Sequence, residues 1–191
     1  MPDQFKIALR NSIKQVRAKT SVSYRVQSSN QICNRIKALN EYRKAKSIAL
    51  YFAVNGEIDL SNLWQNAPLH GKFCHFPALN KNSTLSFLPA TPNTPFKNNQ
   101  YGIPEPEVNH DLAIPIEQLD LIIMPLVAFD SRCTRLGMGA GYYDRTLENK
   151  KNGLFLGVAY QFQKVDFLIP EPWDIPLDAV VTPKAIYWRN A

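Results

Sequence analysis

The chain has 191 residues, 45% of them hydrophobic and 20% charged, with a formal net charge of +6. That length suits one domain over residues 1–191 with a proper buried core, and the balance of apolar and charged residues excludes a disordered or fibrous chain. No apolar run reaches the length of a membrane span, and the first residues are polar and basic rather than signal-like, so a cytoplasmic location without a membrane partner is expected.

From Asp3 to Lys19 the apolar residues Phe5, Leu9, Ile13 and Val16 fall at helical spacing, and Lys6, Arg10, Lys14 and Arg17 repeat the same offsets one residue later. The spacing predicts a helix with a core stripe beside a cationic stripe, and the residues alone favour a solvated basic face. Most of the positive excess lies in residues 1–46, yet no basic run there is interleaved with stacking aromatics, so a small polyanion is a better partner than nucleic acid. Ser21 or Ser23 can cap a second helix that turns Val26, Ile32, Cys33, Ile36 and Leu39 inward.

Lys46 to Ala53 reads as a strand whose exit holds Gly56 and Glu57, a place where open α/β sheets bind ligands. Asp59 or Ser61 then caps a short helix through Trp64. Gly71 to Ala78 and Thr84 to Pro89 form an antiparallel pair across the polar turn Asn80 to Ser83. His70 and His75 show no metal-ligand pattern, and Cys33, Cys74 and Cys133 are too scattered for a disulfide framework or a zinc site. Residues 90–115, rich in proline, asparagine and threonine, are expected to fold over a site as a lid.

Leu121 to Val127 is a buried strand. The loop after it holds Arg135, then Gly137, Gly139 and Gly141 on alternate positions, then Tyr142, Tyr143, Asp144 and Arg145, from which a short helix can start. Alternate glycines allow positive φ and close approach of bare amides to an anion, and a helix start adds its dipole there. The reading is a phosphate cradle flanked by Arg135 and Arg145, with Asp144 placed to hold a cation. The loop has neither P-loop nor dinucleotide-fold spacing, and by itself it is no more than a strand-to-helix turn. Gly153 to Gln161, Asp178 to Thr182 and Ile186 to Trp188 supply further strands, separated by the proline-rich stretch Ile169 to Pro176. The alternation predicts an α/β fold, a mainly parallel sheet with helices on both faces in a Rossmann-like three-layer architecture, with the Gly71 to Pro89 pair as a side element.

The strings LIIMPLVAFD and RLGMGAGYYDR closely resemble the signature of the 5-formyltetrahydrofolate cyclo-ligases, also called 5,10-methenyltetrahydrofolate synthetases. KIALR at Lys6 to Arg10, YFAVNGEID at Tyr51 to Asp59, YGIPEP at Tyr101 to Pro106 and LDAVVT at Leu177 to Thr182 recur in the family's order and spacing. The resemblance implies ATP-dependent cyclisation of 5-formyltetrahydrofolate to 5,10-methenyltetrahydrofolate, with ADP and phosphate released after phosphorylation of the formyl oxygen. It places ATP on Lys6, Ile7, Ala8, Leu9 and Arg10 and on the loop from Arg135 and Leu136 through Gly137, Met138, Gly139, Ala140, Gly141 and Tyr142 to Tyr143. It places the folate against Arg10, Phe52, Glu57 and the loop between Met138 and Tyr142, gives Lys6, Arg10, Arg135 and Tyr142 the catalytic work, and puts magnesium on Asp144 and Asp178. A monomer whose partners are small molecules is expected.

Two residues depart from that pattern, since the family usually has glycine where this chain has Ala140 and often where it has Cys133. Positive φ is costly at an alanine, so Ala140 is expected at negative φ while the other three glycines carry the sharp turns. Two other readings remain open on the residues: a sugar-phosphate or coenzyme A-type enzyme of related fold, and a basic nucleic-acid-binding protein.

Overall fold

The computed structural model describes residues 3–150 and 152–189. Helices α1 (Gln4–Ala18), α2 (Val22–Ala38) and α3 (Asn40–Lys44) precede strand β1 (Ser47–Ala49), and α4 (Ser61–Asn66) leads to β2 (Phe73–Leu79) and β3 (Leu85–Pro89). A hairpin of β4 (Phe96–Asn98) and β5 (Pro104–Pro106) comes next, followed by β6 (Leu121–Pro125) and a two-stranded turn of β7 (Ala128–Phe129) and β8 (Arg135–Leu136). The chain then runs through α5 (Tyr142–Leu147), β9 (Leu154–Val158), β10 (Ala179–Val181) and β11 (Ile186–Trp188).

Seven strands form one sheet in the order β11-β10-β9-β6-β1-β2-β3. The five inner strands are parallel, with Ile48 opposite Leu121 and Cys74, and Gly157 opposite Met124 and Val180. Strands β3 and β11 close the edges antiparallel. The α/β class is therefore as the sequence predicts. The β2–β3 pair, however, is no side element: β2 hydrogen-bonds β1 throughout its first half, which makes the pair an edge of the main sheet.

The two-residue period of a strand divides the core between the faces. On β6, Leu121 and Ile123 pack with Ile32, Ile36 and Leu63 from α2 and α4. Ile122 and Met124 pack on the other face with Leu147 of α5, Phe129 of β7, and Leu119 and Leu177 from irregular segments. Among the described residues no helix is long and apolar enough to cross a membrane.

Gly157 sits where these layers leave no room. A Cβ there would lie 2.5 Å from Leu177 Cδ1 and 2.8 Å from Leu126 Cδ2. Gly157→Ala should therefore lower stability by about 1–3 kcal/mol through overpacking, read as a shifted midpoint at unchanged slope in urea unfolding.

Helix α1 corrects the amphipathic reading. Phe5 is 61% and Val16 45% exposed, while Lys6, Ile13 and Arg17 are buried. Residues 6, 10, 13 and 17 share one helical face, and that face turns inward because acidic partners meet it there. Val26, expected inside α2, is likewise exposed, while Ile32, Cys33 and Ile36 are fully buried.

Candidate active site

A cavity of about 1060 Å³ opens at the carboxyl ends of β1, β2 and β6. Strand β2 lies on one side of β1 and β6 on the other, so the cavity sits where the sheet order reverses, the usual ligand crevice of an open α/β sheet. Lys6, Ile7 and Arg10 of α1 form one wall and the loop from Arg135 to Arg145 a second. The exit of β1, with Tyr51, Phe52, Asn55 and Glu57, forms a third. Asn99, Tyr101 and Glu105 from the β4–β5 hairpin and Glu171, Trp173 and Asp174 from the proline-rich segment complete it.

Asp3 caps α1 by accepting from the amides of Phe5 and Lys6, which fixes the start of the helix at the cavity mouth. Lys6 Nζ donates to Glu171 Oε1 at 2.7 Å. Arg10 Nε donates to the Gly137 carbonyl at 2.9 Å, tying the helix to the glycine loop. Arg135 Nη2 donates to the Asp144 carboxylate, while the buried Arg135 Nε has no partner among the described residues.

The loop is anchored from below by Asp130. Its buried carboxylate accepts from the Thr134 and Leu168 amides and from the Arg132 amide and guanidinium. Burial opposes its ionisation, yet the Arg132 contact and these amides together hold the carboxyl below its ordinary value. Cys133 takes the left-handed position of the turn between β7 and β8, with φ +62°. Glycine would sit there unstrained. Within the glycine loop, Gly139 (φ +103°) and Gly141 (φ +68°) carry the turns and Ala140 stays at negative φ as expected. Gly137 does not have positive φ, so two glycines rather than three make the bends. Arg145 donates to the carbonyls of Ala140 at 2.6 Å and Ser83 at 2.9 Å, so it braces the loop against the β2–β3 turn.

Across the cavity, Phe52 stacks on Phe76 with centroids 4.5 Å apart and meets Phe96 and Trp64 edge-on. Beside it, Asn55 and Gly56 both adopt left-handed φ, and the Glu57 amide donates to the Val54 carbonyl. An Asn-Gly pair is what a turn with two positive-φ positions requires. The turn brings Glu57 back toward the sheet at 8% exposure, where it accepts from the Val54 amide and lies 3.5 Å from Arg17 Nη1.

A family model described as the 5-formyltetrahydrofolate cyclo-ligase family matches residues 2–183. The chain belongs to this family of enzymes. It is 41% identical over 181 residues to the 5-formyltetrahydrofolate cyclo-ligase of Haemophilus influenzae, covering 93% of this chain and 97% of that one. The Escherichia coli K12 protein of the same name is 35% identical over 179 residues, covering 92% and 98%. The NMR structure of Aquifex aeolicus 5,10-methenyltetrahydrofolate synthetase superposes with a TM-score of 0.87 at 34% identity, covering 98% of this chain and 94% of that one.

Three residues given to the site by the family resemblance lie away from the cavity. Ala8 is exposed on the outer side of α1, and Leu9 packs against Ala128, Leu136 and Leu168. The helix presents only residues 6, 7 and 10 on the cavity side. Asp178 is the larger correction. It precedes β10, which runs parallel to β9 and the other inner strands, so it stands at the amino ends of the parallel strands, opposite the cavity. Its carboxylate accepts from the Phe155 amide at 2.8 Å and from Arg189 Nη2 at 3.1 Å. Among the described residues no group of three or more histidines, cysteines and acids could hold a metal. Asp144 supplies a carboxylate beside the glycine loop, with Oδ1 taken by Arg135 and the Ile175 amide. That still fits magnesium, which uses one or two protein carboxylates and otherwise takes substrate phosphates and water.

Sequence reasoning missed Arg17, left on the solvated face, and the acids Glu105 and Glu171. Arg17 had a signal, since it follows Lys6 by eleven residues and so returns to the same side of the helix. Glu171 had none, because nothing local ties residue 171 to residue 6.

Proposed function

We propose that this chain catalyses the ATP- and magnesium-dependent cyclisation of 5-formyltetrahydrofolate to 5,10-methenyltetrahydrofolate, releasing ADP and phosphate. The observation that carries this reading is the convergence of Lys6, Arg10 and Arg135 with the bent glycine loop on one side of a single cavity, facing Phe52 and Glu57 on the other. Lys6 and Arg10 of the basic stripe of α1 are turned into this cavity rather than spread over the surface, which favours a small polyanion over nucleic acid.

An amide oxygen is a poor leaving group, so the γ-phosphoryl group of ATP is first transferred to the formyl oxygen. The neighbouring nitrogen then attacks the formyl carbon and gives up its proton, the carbon–oxygen bond breaks and phosphate leaves with the oxygen. Such a transfer asks the protein chiefly for alignment and positive charge. Lys6, Arg10 and Arg135 supply the charge, and amides of the loop at Gly139, Ala140 and Gly141 offer donors without side chains in the way. Asp144 would hold the magnesium ion, which supplies charge neutralisation at the phosphates. Phe52 offers an apolar face to the pterin, and Glu57 accepts from its amino and ring N–H groups. Tyr142, with its hydroxyl 3.4 Å from that of Tyr101, joins the loop to the β4–β5 hairpin and closes the site from above.

Mixing the protein with 5-formyltetrahydrofolate, ATP and magnesium should produce methenyl absorbance and ADP in equal amounts. ADP release indifferent to folate would refute the proposal. Lys6→Met should raise the KM for ATP about ten- to a hundredfold, since it removes a charge-assisted contact of roughly 1.5–3 kcal/mol. Glu171, the partner Lys6 leaves behind, is partly exposed and can be solvated, so the fold is expected to tolerate the change. An unaltered KM returns Lys6 to a purely structural pair with Glu171.

A further inference from the structure

Arg17 is among the most deeply buried side chains of the protein, at 1% exposure, although nothing in the proposed chemistry touches it. Its Nη1 lies 3.5 Å from Glu57 Oε1, and its Nε and Nη2 have no hydrogen-bond partner among the described residues. A buried guanidinium left with a single ionic partner is costly in a fold that gains only stability from it, and an apolar side chain of similar volume would pack more favourably. Arg17 therefore needs a reason that lies with Glu57.

The surroundings of Glu57 supply that reason. Its turn is held from three sides. Tyr51 Oη donates to the Ile58 carbonyl at 2.7 Å, Tyr160 Oη to the Gly56 carbonyl at 3.1 Å, and the Val54 amide to Glu57 Oε2. The backbone is thus fixed whatever the charge on the acid. The groups facing the carboxylate are Arg17 on α1, Tyr51 after β1 and Tyr143 on α5, while Arg25 on α2, Tyr160 after β9 and Asp59 lie around the same turn farther out. Arg17 is the one cation paired with it among the described residues.

We infer that Arg17 is a positioning residue, which holds Glu57 as a charged acceptor aimed at the amino-bearing edge of the pterin. The inference rests on the proposed role of Glu57 in folate binding. Burial raises the Glu57 carboxyl above its ordinary value, and Arg17 and the Val54 amide oppose that rise. Without Arg17 the opposition weakens and the acid takes up a proton. A protonated acid offers one acceptor fewer to two N–H groups, so folate binding becomes weak and returns as pH rises and Glu57 ionises.

The test is calorimetric titration of the whole protein with 5-formyltetrahydrofolate at about pH 6.5 and about pH 8.5, two values between which the ionised fraction of a carboxyl raised by burial increases. Arg17→Met should weaken binding about thirtyfold at the lower pH and markedly less at the higher, the loss expected for one charge-assisted contact. Its kcat at saturating folate and its KM for ATP should stay near those of the parent. Arg17→Lys, which keeps the charge, should bind with a flat pH profile close to the parent and decides the matter if the methionine variant is too unstable to titrate. Arg17→Met binding as tightly as the parent, an equal loss at both pH values, or a thirtyfold loss in Arg17→Lys would overturn the inference. Glu57→Gln separates the two readings. If it binds folate as well as the parent, the assignment of Glu57 fails; if it binds weakly while Arg17→Met binds normally, only the role of Arg17 fails.

Discussion

Asp144→Asn is expected to lower turnover with magnesium and ATP by about a hundred- to a thousandfold, the scale of losing several kcal/mol of charge stabilisation in a phosphoryl transfer. The structure makes this a clean substitution. Asp144 accepts from Arg135 and from the Ile175 amide, and an asparagine carbonyl can take over both acceptor roles at the same place. What it cannot supply is the negative charge. The charge-assisted bond to Arg135 becomes a neutral-acceptor bond, at a cost of about 1–2 kcal/mol, so the melting temperature should fall by only several degrees. Asp144→Ala would confound the two effects, because it also frees the Ile175 amide and with it the segment that carries Glu171 and Trp173. Asp178, at the far end of the sheet, cannot replace Asp144. Raising magnesium should therefore restore little of the rate. Turnover within fivefold of the parent would remove Asp144 from the metal role and leave it as an anchor for Arg135 and Ile175.

The parts of the fold legible in the sequence are those whose signal is local. The apolar run of β6 announced a buried strand, and it is one, with the glycine loop after it lining the cavity. The negative φ of Ala140 followed from the sterics of one residue. Cys133 shows the converse: a left-handed cysteine is disfavoured locally, and its buried thiol, 3.1 Å from the Tyr187 carbonyl, is a contact made 54 residues away. Strand direction defeated the placement of Asp178, because a carboxylate beside a strand reaches the site only from its carboxyl end. Helix α1 was misread for a related reason. Periodicity shows that two stripes exist, but which one turns inward depends on partners elsewhere in the chain. Glu57 and Glu171 make the cationic stripe the buried one, and the apolar Phe5 and Val16 are left outside. Phe52 belonged to the site by resemblance, but its setting among Phe76, Phe96 and Trp64 joins three separate elements to the end of β1.

Gly139→Val should abolish nucleotide binding at ordinary concentrations, weakening it by about a hundredfold or more while the sheet core remains folded. Two independent costs meet at this position. With φ at +103°, a side chain brings backbone strain of roughly 1–3 kcal/mol, and a β-branched one stands at the upper end. A Cβ would also lie 3.4 Å from Arg10 Cζ and 3.6 Å from its Nε, so the branched methyl groups must displace the guanidinium that donates to Gly137. Relief of either cost moves the loop or Arg10, and both line the cavity. Gly139→Ala separates the contributions: it keeps the φ strain but adds a single carbon at a tolerable distance, so its loss should be intermediate. Ala140→Gly is the internal control. Its backbone already sits at negative φ, so the change should alter nucleotide affinity by less than about threefold and reduce stability by about 0.4–1 kcal/mol through unfolded-state entropy alone. Titration of the three variants with magnesium and ATP, beside thermal unfolding, gives the comparison. If Gly139→Val binds within threefold of the parent, the loop yields without strain and the nucleotide does not lie against its backbone.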